Sequence, residues 1–183
     1  MPRFDKLLVL DLDETLVHAR DQALDRPADR RIAGYHVYDR PGLRPFLERV
    51  TELFTVGVWT SSGEGYAHAL VARIFPDPAL LRFVYARDRC TYRRDLESHE
   101  VVWLKDLRKL RRMGFTRSQV VFVDDSREKI ARSYGNLVRV APYEGAEDDR
   151  ELDALAIYLE LVIGPCPDVR ALEKRGWRET VRR

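Results

Sequence analysis

Residues 7–10 read Leu-Leu-Val-Leu, and the run stops abruptly at Asp11-Leu12-Asp13. A strand with one wet face alternates apolar and polar side chains. An unbroken apolar run has both faces covered, which in a soluble chain means a strand of a parallel sheet lying between layers of helices. Further apolar runs give five predicted strands: Lys6 to Leu10, Phe54 to Trp59, Phe83 to Tyr85, Gln119 to Val123 and Leu137 to Val140. Amphipathic patterns lie between them. Leu43, Phe46, Leu47, Val50 and Leu53 recur at three- and four-residue spacing behind Pro41-Gly42, and Glu64 to Phe75, Leu104 to Met113, Ser126 to Tyr134 and Leu152 to Ile163 read as further helices. Alternating strands and helices require right-handed crossovers, so the expected fold is α/β, a doubly wound, Rossmann-like and mostly parallel sheet.

Two segments break the alternation. Residues 19–39 and 86–103 are expected to form a flap and a hairpin near the mouth of a site, within one domain of 183 residues that ends in a basic tail over residues 177–183. At 45% apolar and 34% charged residues, the chain is a folding, soluble type and not a disordered one. Its two cysteines, Cys90 and Cys166, are too few for a disulfide framework and lack the spacing of a zinc site. No signal peptide or membrane span is expected, and a reducing cytoplasm is the expected compartment. Net charge is only +2, yet arginines gather over residues 82–94, 108–117 and 175–183. They read either as a solvated surface or as clamps for phosphate.

In open parallel sheets, ligands sit beyond the carboxyl ends of the strands. The first predicted strand ends at Asp11 and Asp13, the second runs into Thr60-Ser61-Ser62, and a later one ends in Asp124-Asp125-Ser126. The unusual polar residues therefore converge on one edge. Two unit charges about 4 Å apart interact by about 4 kcal/mol at an effective dielectric of 20, so four carboxylates gathered there call for a cation. Oxygen-only ligands suit Mg²⁺, which would also hold a phosphate, and phosphoryl chemistry follows.

Asp11-Leu-Asp-Glu-Thr15-Leu-Val-His18, Trp59-Thr60-Ser-Ser, Lys105-Asp-Leu and Val123-Asp124-Asp125-Ser126 resemble the four ordered motifs of the haloacid dehalogenase superfamily of aspartate-based phosphatases. Arg40-Pro-Gly-Leu-Arg-Pro-Phe-Leu, with Tyr66 soon after the Trp-Thr-Ser-Ser run, narrows the resemblance to small phosphatases that act on the RNA polymerase II C-terminal domain. It spans roughly Leu7 to Leu159. The resemblance implies that Asp11 is the nucleophile, forming an aspartyl phosphate, and that Asp13 is the general acid and base, with its backbone carbonyl turned to the metal. It also implies that Thr60 and Lys105 are catalytic. Thr15, Thr60, Ser61, Tyr66 and Lys105 are expected around the phosphate, Thr15 fixing the loop through its hydroxyl. Asp11, Asp13, Asp125 and Asp124 are expected to hold Mg²⁺, with Asp125 the direct ligand and Asp124 orienting Lys105 or the metal's water. Many relatives carry proline where Arg127 follows the last motif. His18 reads as a packed loop residue, and His36, His68 and His99 have no ligand spacing.

No segment is long enough for a full lid, and lidless members of the superfamily act on macromolecules. The expected substrate is a phosphorylated macromolecule, with a phosphoprotein, as for a Ser/Thr phosphatase, ahead of a nucleic-acid end. The second option draws on Arg82 to Arg94 with Phe83, Tyr85 and Tyr92. A phospho-acceptor receiver module is the alternative of another class; it would place an aspartate at Thr60 and does not account for Asp124-Asp125.

Overall fold

The structure, a computed structural model, describes residues 1–94 and 101–181. All five predicted strands are present: β1 (Leu7–Leu10), β5 (Thr55–Trp59), β6 (Val84–Tyr85), β9 (Val120–Asp124) and β10 (Leu137–Arg139). They form one parallel sheet in the order β10-β9-β1-β5-β6. The chain starts at the middle strand, works outward to β6, then crosses back to β9 on the other flank. This reversal leaves a crevice at the carboxyl ends of β1 and β9. Leu10 is level with Val58 on one side and Val123 on the other, so Asp11, Thr60 and Asp124 leave the sheet together.

The unbroken apolar strands are explained by what covers each face. Leu8 and Leu10 point to one side, with Val56, Val58, Val121 and Val123, and meet α1 (Leu43–Leu53), α2 (Glu64–Ile74) and α3 (Glu151–Tyr158). Leu7 and Val9 point to the other, with Trp59, Phe83, Val120 and Phe122. The predicted stripe of α1 is its buried face: Leu43, Phe46, Leu47, Val50 and Leu53. Pro45 is tolerated because the amides of the first turn have no helical partner. Gly42, at φ 78°, takes the left-handed turn that starts α1.

On the second face the cover differs from the sequence reading. The helices expected over Leu104 to Met113 and Ser126 to Tyr134 are 3-10 segments, Leu107–Met113 and Glu128–Asn136, the second broken by non-helical backbone at Ile130 and Ser133. Gly135, a glycine that follows the Ser126 to Tyr134 pattern and reads as a helix stop, lies inside that segment and does not end it. The final helix changes from α to π winding at Leu159.

The two segments that break the alternation are antiparallel sheets. β2 (Val17–Arg20), β3 (Arg30–Ile32) and β4 (Tyr35–Asp39) form a three-stranded sheet in the order β2-β4-β3. β7 (Thr91–Arg94) and β8 (Val101–Leu104) form a hairpin whose connection, including His99, lies outside the described residues. The C-terminal segment is not a free basic tail throughout: α4 (Trp177–Val181) buries Trp177, whose indole N–H donates to the Arg139 carbonyl at 2.8 Å.

Candidate active site

The loop after β1 is wound tightly. The Leu12 carbonyl accepts from the amides of Thr15, Leu16 and Val17, and Glu14 takes a left-handed φ of 60°. A non-glycine residue in that region carries strain, which the surrounding bonds must hold. Here Glu14 is held through its amide to the Val17 carbonyl, its carbonyl to the Tyr143 amide and its carboxylate to His18 Nδ1 at 2.8 Å. His18 is thus a packing and hydrogen-bonding residue, edge-on to Tyr143. From the other side, the fully buried Arg40 grips Asp149 with two bonds of 2.9 and 2.8 Å and donates to the Thr15 carbonyl at 3.0 Å. Thr15 is therefore held through its backbone. Its hydroxyl is buried without a hydrogen-bond partner, so the hydroxyl expected to fix the loop makes no bond that does so here.

Asp11 is almost completely buried and would be costly to ionise alone. Two lysines compensate it. Lys105 Nζ lies 2.9 Å from Asp11 Oδ1 and 2.5 Å from Asp124 Oδ2; Lys129 Nζ lies 2.9 Å from Asp11 Oδ2. Burial alone would raise the Asp11 pKa, but the two ammonium groups outweigh it and hold the carboxyl at about 2. Asp124 goes the other way: burial and the neighbouring Asp11 charge push it up against the pull of Lys105 and Lys129. The pair shares its lysines unequally.

Lys105 does not start a helix as the sequence pattern suggested. It follows directly from β8, and its amide donates to the Lys129 carbonyl at 2.8 Å, so one backbone bond sets both lysines at the crevice. Lys129 is the residue that the sequence reading missed. In Arg127-Glu128-Lys129-Ile130 it looks like an ordinary surface cation; the 3-10 winding after Asp125 turns it inward.

Asp13 has different company. Ser62 Oγ donates to Asp13 Oδ2 at 2.6 Å and the Tyr66 hydroxyl to Oδ1 at 2.7 Å. Burial pushes the Asp13 carboxyl up, the two donors oppose that and Asp11 adds to it, for a net rise. Tyr66 is held protonated by its own burial and by Asp13. Ser62 is a second residue missed by the sequence reading, which named Ser61; Ser61 instead offers its carbonyl to Arg87 Nε at 2.7 Å. Thr60 Oγ1 accepts from the Ser62 amide at 3.1 Å, which leaves its proton free to donate. Ala19, Tyr35, Ser62, Gly63, Tyr66 and Arg87 line a mouth of ≈ 340 Å³ beside Asp13.

Asp11, Asp124 and Asp125 each offer an oxygen within 4.8 Å of the others, a spacing that a single hard cation can bridge. Asp125 Oδ1 is buried with no hydrogen-bond partner, and Lys129 Nζ approaches it only to 3.6 Å. An orphaned carboxylate oxygen in an all-oxygen cluster fits Mg²⁺.

The aromatic residues invoked for nucleic acid are partly committed elsewhere. Phe83 is buried, stacked on Tyr85 and packed where Gly57 leaves room for it; Arg89 covers the Tyr85 ring.

Fold, site and a family-model match over residues 6–170 together place the chain in the haloacid dehalogenase superfamily, with no large cap among the described residues. More narrowly, the chain belongs to the NLI interacting factor-like phosphatase family, which matches it over residues 6–170. It is 34% identical over 160 residues to CTD small phosphatase-like protein 2 of Dictyostelium discoideum, a match covering 84% of this chain and 26% of that protein. CTD small phosphatase-like protein 3 of Caenorhabditis elegans is 29% identical over 178 residues, covering 93% of this chain and 59% of its relative. The chain thus spans about a quarter and somewhat under two thirds of these relatives. The structure of the fission yeast RNA polymerase II CTD phosphatase Fcp1 bound to beryllium fluoride has the same fold, with a TM-score of 0.57 at 21% identity over 97% of this chain and 49% of that one. Among the described residues, no helix is long and apolar enough to cross a membrane.

Proposed function

We propose that the chain is a Mg²⁺-dependent phosphomonoesterase that works through an aspartyl phosphate on Asp11 and acts on phosphoproteins. The observation that carries this reading is the unequal treatment of two aspartates two residues apart. Asp11 is held ionised between Lys105 and Lys129, whereas Asp13 is pushed toward its protonated form beside Ser62 and Tyr66. A nucleophile must be ionised, and a general acid must carry a proton.

In the first half-reaction a carboxylate oxygen of Asp11 bonds to phosphorus while the bond from phosphorus to the leaving oxygen breaks. Asp13 gives that oxygen its proton. In the second, Asp13, now a carboxylate, takes a proton from the water that attacks phosphorus, the bond from phosphorus to Asp11 breaks, and phosphate leaves. Thr60 donates its free hydroxyl proton to a phosphoryl oxygen, with Ser61 at the same turn, and Lys105 balances the charge on Asp11 and the phosphoryl group. Mg²⁺ would be held by Asp11, Asp125, the Asp13 carbonyl and Asp124, directly or through water, and when bound it neutralises phosphoryl charge. Lys129 serves the same carboxylates as a tethered cation, and Mg²⁺ would compete with it for Asp11.

The mouth beside Asp13 is bordered by Ala19 and Tyr35 of the three-stranded antiparallel sheet and by Arg87, which lies over Trp103 of the β7–β8 hairpin. No large cap covers it among the described residues, which suits a phosphorylated side chain presented by a protein. A reducing, cytoplasmic setting belongs to the same reading. The test is a Mg²⁺-dependent assay on an aryl phosphate, on phosphoserine, phosphothreonine and phosphotyrosine peptides, on 3′- and 5′-phosphorylated oligonucleotides and on sugar phosphates. Phosphoserine and phosphothreonine peptides should be turned over fastest, and Asp11→Asn should abolish turnover. Equal, poor rates on every substrate, or a fully active Asp11→Asn, would sink the reading.

A further inference from the structure

On the β10 flank of the catalytic edge lies a cavity of ≈ 820 Å³ lined by Arg127, Tyr134, Arg139, Arg170, Arg175 and Arg178, among others. It adjoins the site through the sheet. Arg139 is level with Asp124 in the β9–β10 register and its Nε donates to the Asp125 carbonyl at 2.9 Å, while Arg127 follows Asp125 by two residues. Two of the guanidinium groups are neutralised, Arg175 by Glu173 at 2.6 Å and Arg178 by Glu151. Arg127, Arg139 and Arg170 have no carboxylate within ion-pair distance among the described residues. Glu128 feels the charges of Arg139 and Arg127 but forms no ion pair with either, so three guanidinium groups without a contact carboxylate line one concavity.

The floor under them is built. Lys174, buried in the lining, has its ammonium committed to the Val169 and Leu172 carbonyls at 2.5 and 2.8 Å. Trp177 pins the Arg139 backbone from below. Like charges gathered over a fixed floor repel unless an anion joins them, and guanidinium groups match phosphate oxygens in paired hydrogen bonds. The volume lies within the range of ligand pockets, roughly 300–1,000 Å³, and exceeds what one free phosphate needs.

We propose that this cavity binds a second phosphate of a multiply phosphorylated protein segment whose other phosphate occupies the site at Asp11. The proposal rests on the phosphatase reading and names the substrate class: segments carrying more than one phosphate. A single-stranded nucleic acid fits less well. Such strands bind along several stacking aromatics in a basic groove, whereas Tyr134 is the one aromatic lining this cavity and the chain's net charge is only +2.

The experiment is fluorescence anisotropy on the full chain at near-physiological salt, with EDTA present to stop turnover. The probes are unphosphorylated, singly phosphorylated and doubly phosphorylated serine peptides, the second phosphoserine being stepped along either side of the first. One spacing should bind about tenfold tighter than the singly phosphorylated peptide, the scale of one charge-assisted contact. Arg170→Glu and Arg127→Glu, at exposed positions, should remove that gain and leave aryl phosphate turnover and the thermal melt unchanged. No gain at any spacing, or a gain that survives both substitutions together, overturns the proposal. Tighter binding of a single-stranded oligonucleotide of equal charge also overturns it, in favour of nucleic acid. If the wild-type chain fails to turn over aryl phosphate with Mg²⁺ while the second phosphate still tightens binding, the phosphatase reading falls and the cavity's assignment stands.

Discussion

Asp11 and Asp13 are separated by one leucine, yet their surroundings solve the cost of a buried carboxylate in opposite ways. Asp11 is met by ammonium groups: Lys105 and Lys129 each lie 2.9 Å away, and its ionised form is favoured. Asp13 is met by neutral hydroxyls from Ser62 and Tyr66, which satisfy its oxygens without cancelling its charge, so burial prevails and its pKa rises. A full opposite charge at contact outweighs desolvation; a neutral hydroxyl donor does so only in part. Two carboxylates on one loop thereby acquire the contrasting proton affinities that acid and nucleophile require.

The contrast can be broken most severely at Lys105, whose side chain is 1% exposed between Asp11 and Asp124. Lys105→Met leaves two buried carboxylates facing each other, and metal-free stability measured by urea denaturation should fall by about 3–5 kcal/mol. A loss under about 1 kcal/mol would mean that Lys129 alone carries the compensation. Lys129→Met should weaken the contrast from the Asp11 side, and it also removes the cation that competes with a metal for Asp11, Asp124 and Asp125. Calorimetry should then show Mg²⁺ binding about tenfold tighter, within the range that a charge at this distance supports at an effective dielectric near 20. Weaker binding would instead make Lys129 a partner of the metal. The smallest effect is expected at the neutral pair: Tyr66→Phe removes one donor from Asp13 while Ser62 remains. Phosphopeptide kcat/KM should drop by about threefold, and Ser62→Ala should produce a similar loss, since each deletes one hydrogen bond to the Asp13 carboxyl while the other remains.

Much of the fold was legible because burial on two sides leaves an unmistakable trace. Leu7–Leu10 and Val120–Val123 can only sit between two covering layers, and α1 buries the five residues its spacing names. The second cover was not legible in detail. Leu107–Met113 and Glu128–Asn136 have helical spacing, but 3-10 winding brings Leu107, Leu110 and Ile130 against Val9 and Phe122. Local periodicity records which residues are buried and hardly distinguishes the winding that buries them.

The site divides along the same line. Asp11, Asp13, Thr60, Asp124 and Asp125 could be named from the chain because each stands where an apolar strand ends, and strand ends in a parallel sheet share an edge. Lys105 was named by resemblance, but its place directly after β8 was not seen. Lys129 and Ser62 carried no signal. A lysine beside a glutamate in a polar turn looks like a surface residue, and the second of two adjacent serines is indistinguishable from the first.

By itself the sequence determined which segments are the central strands, the edge at which acids gather and the identity of the acidic pair, because these follow from local apolar pattern and from where it stops. Only the tertiary structure decided which of the two aspartates is favoured as the anion and which has its proton affinity raised, which lysines compensate the first, and where Arg127, Arg139 and Arg170 meet. Those are properties of distance and burial between residues as far apart as Asp11 and Lys129 or Arg127 and Arg170. Electrostatic energy depends on separation in space and on exclusion of water, and neither is written in separation along the chain.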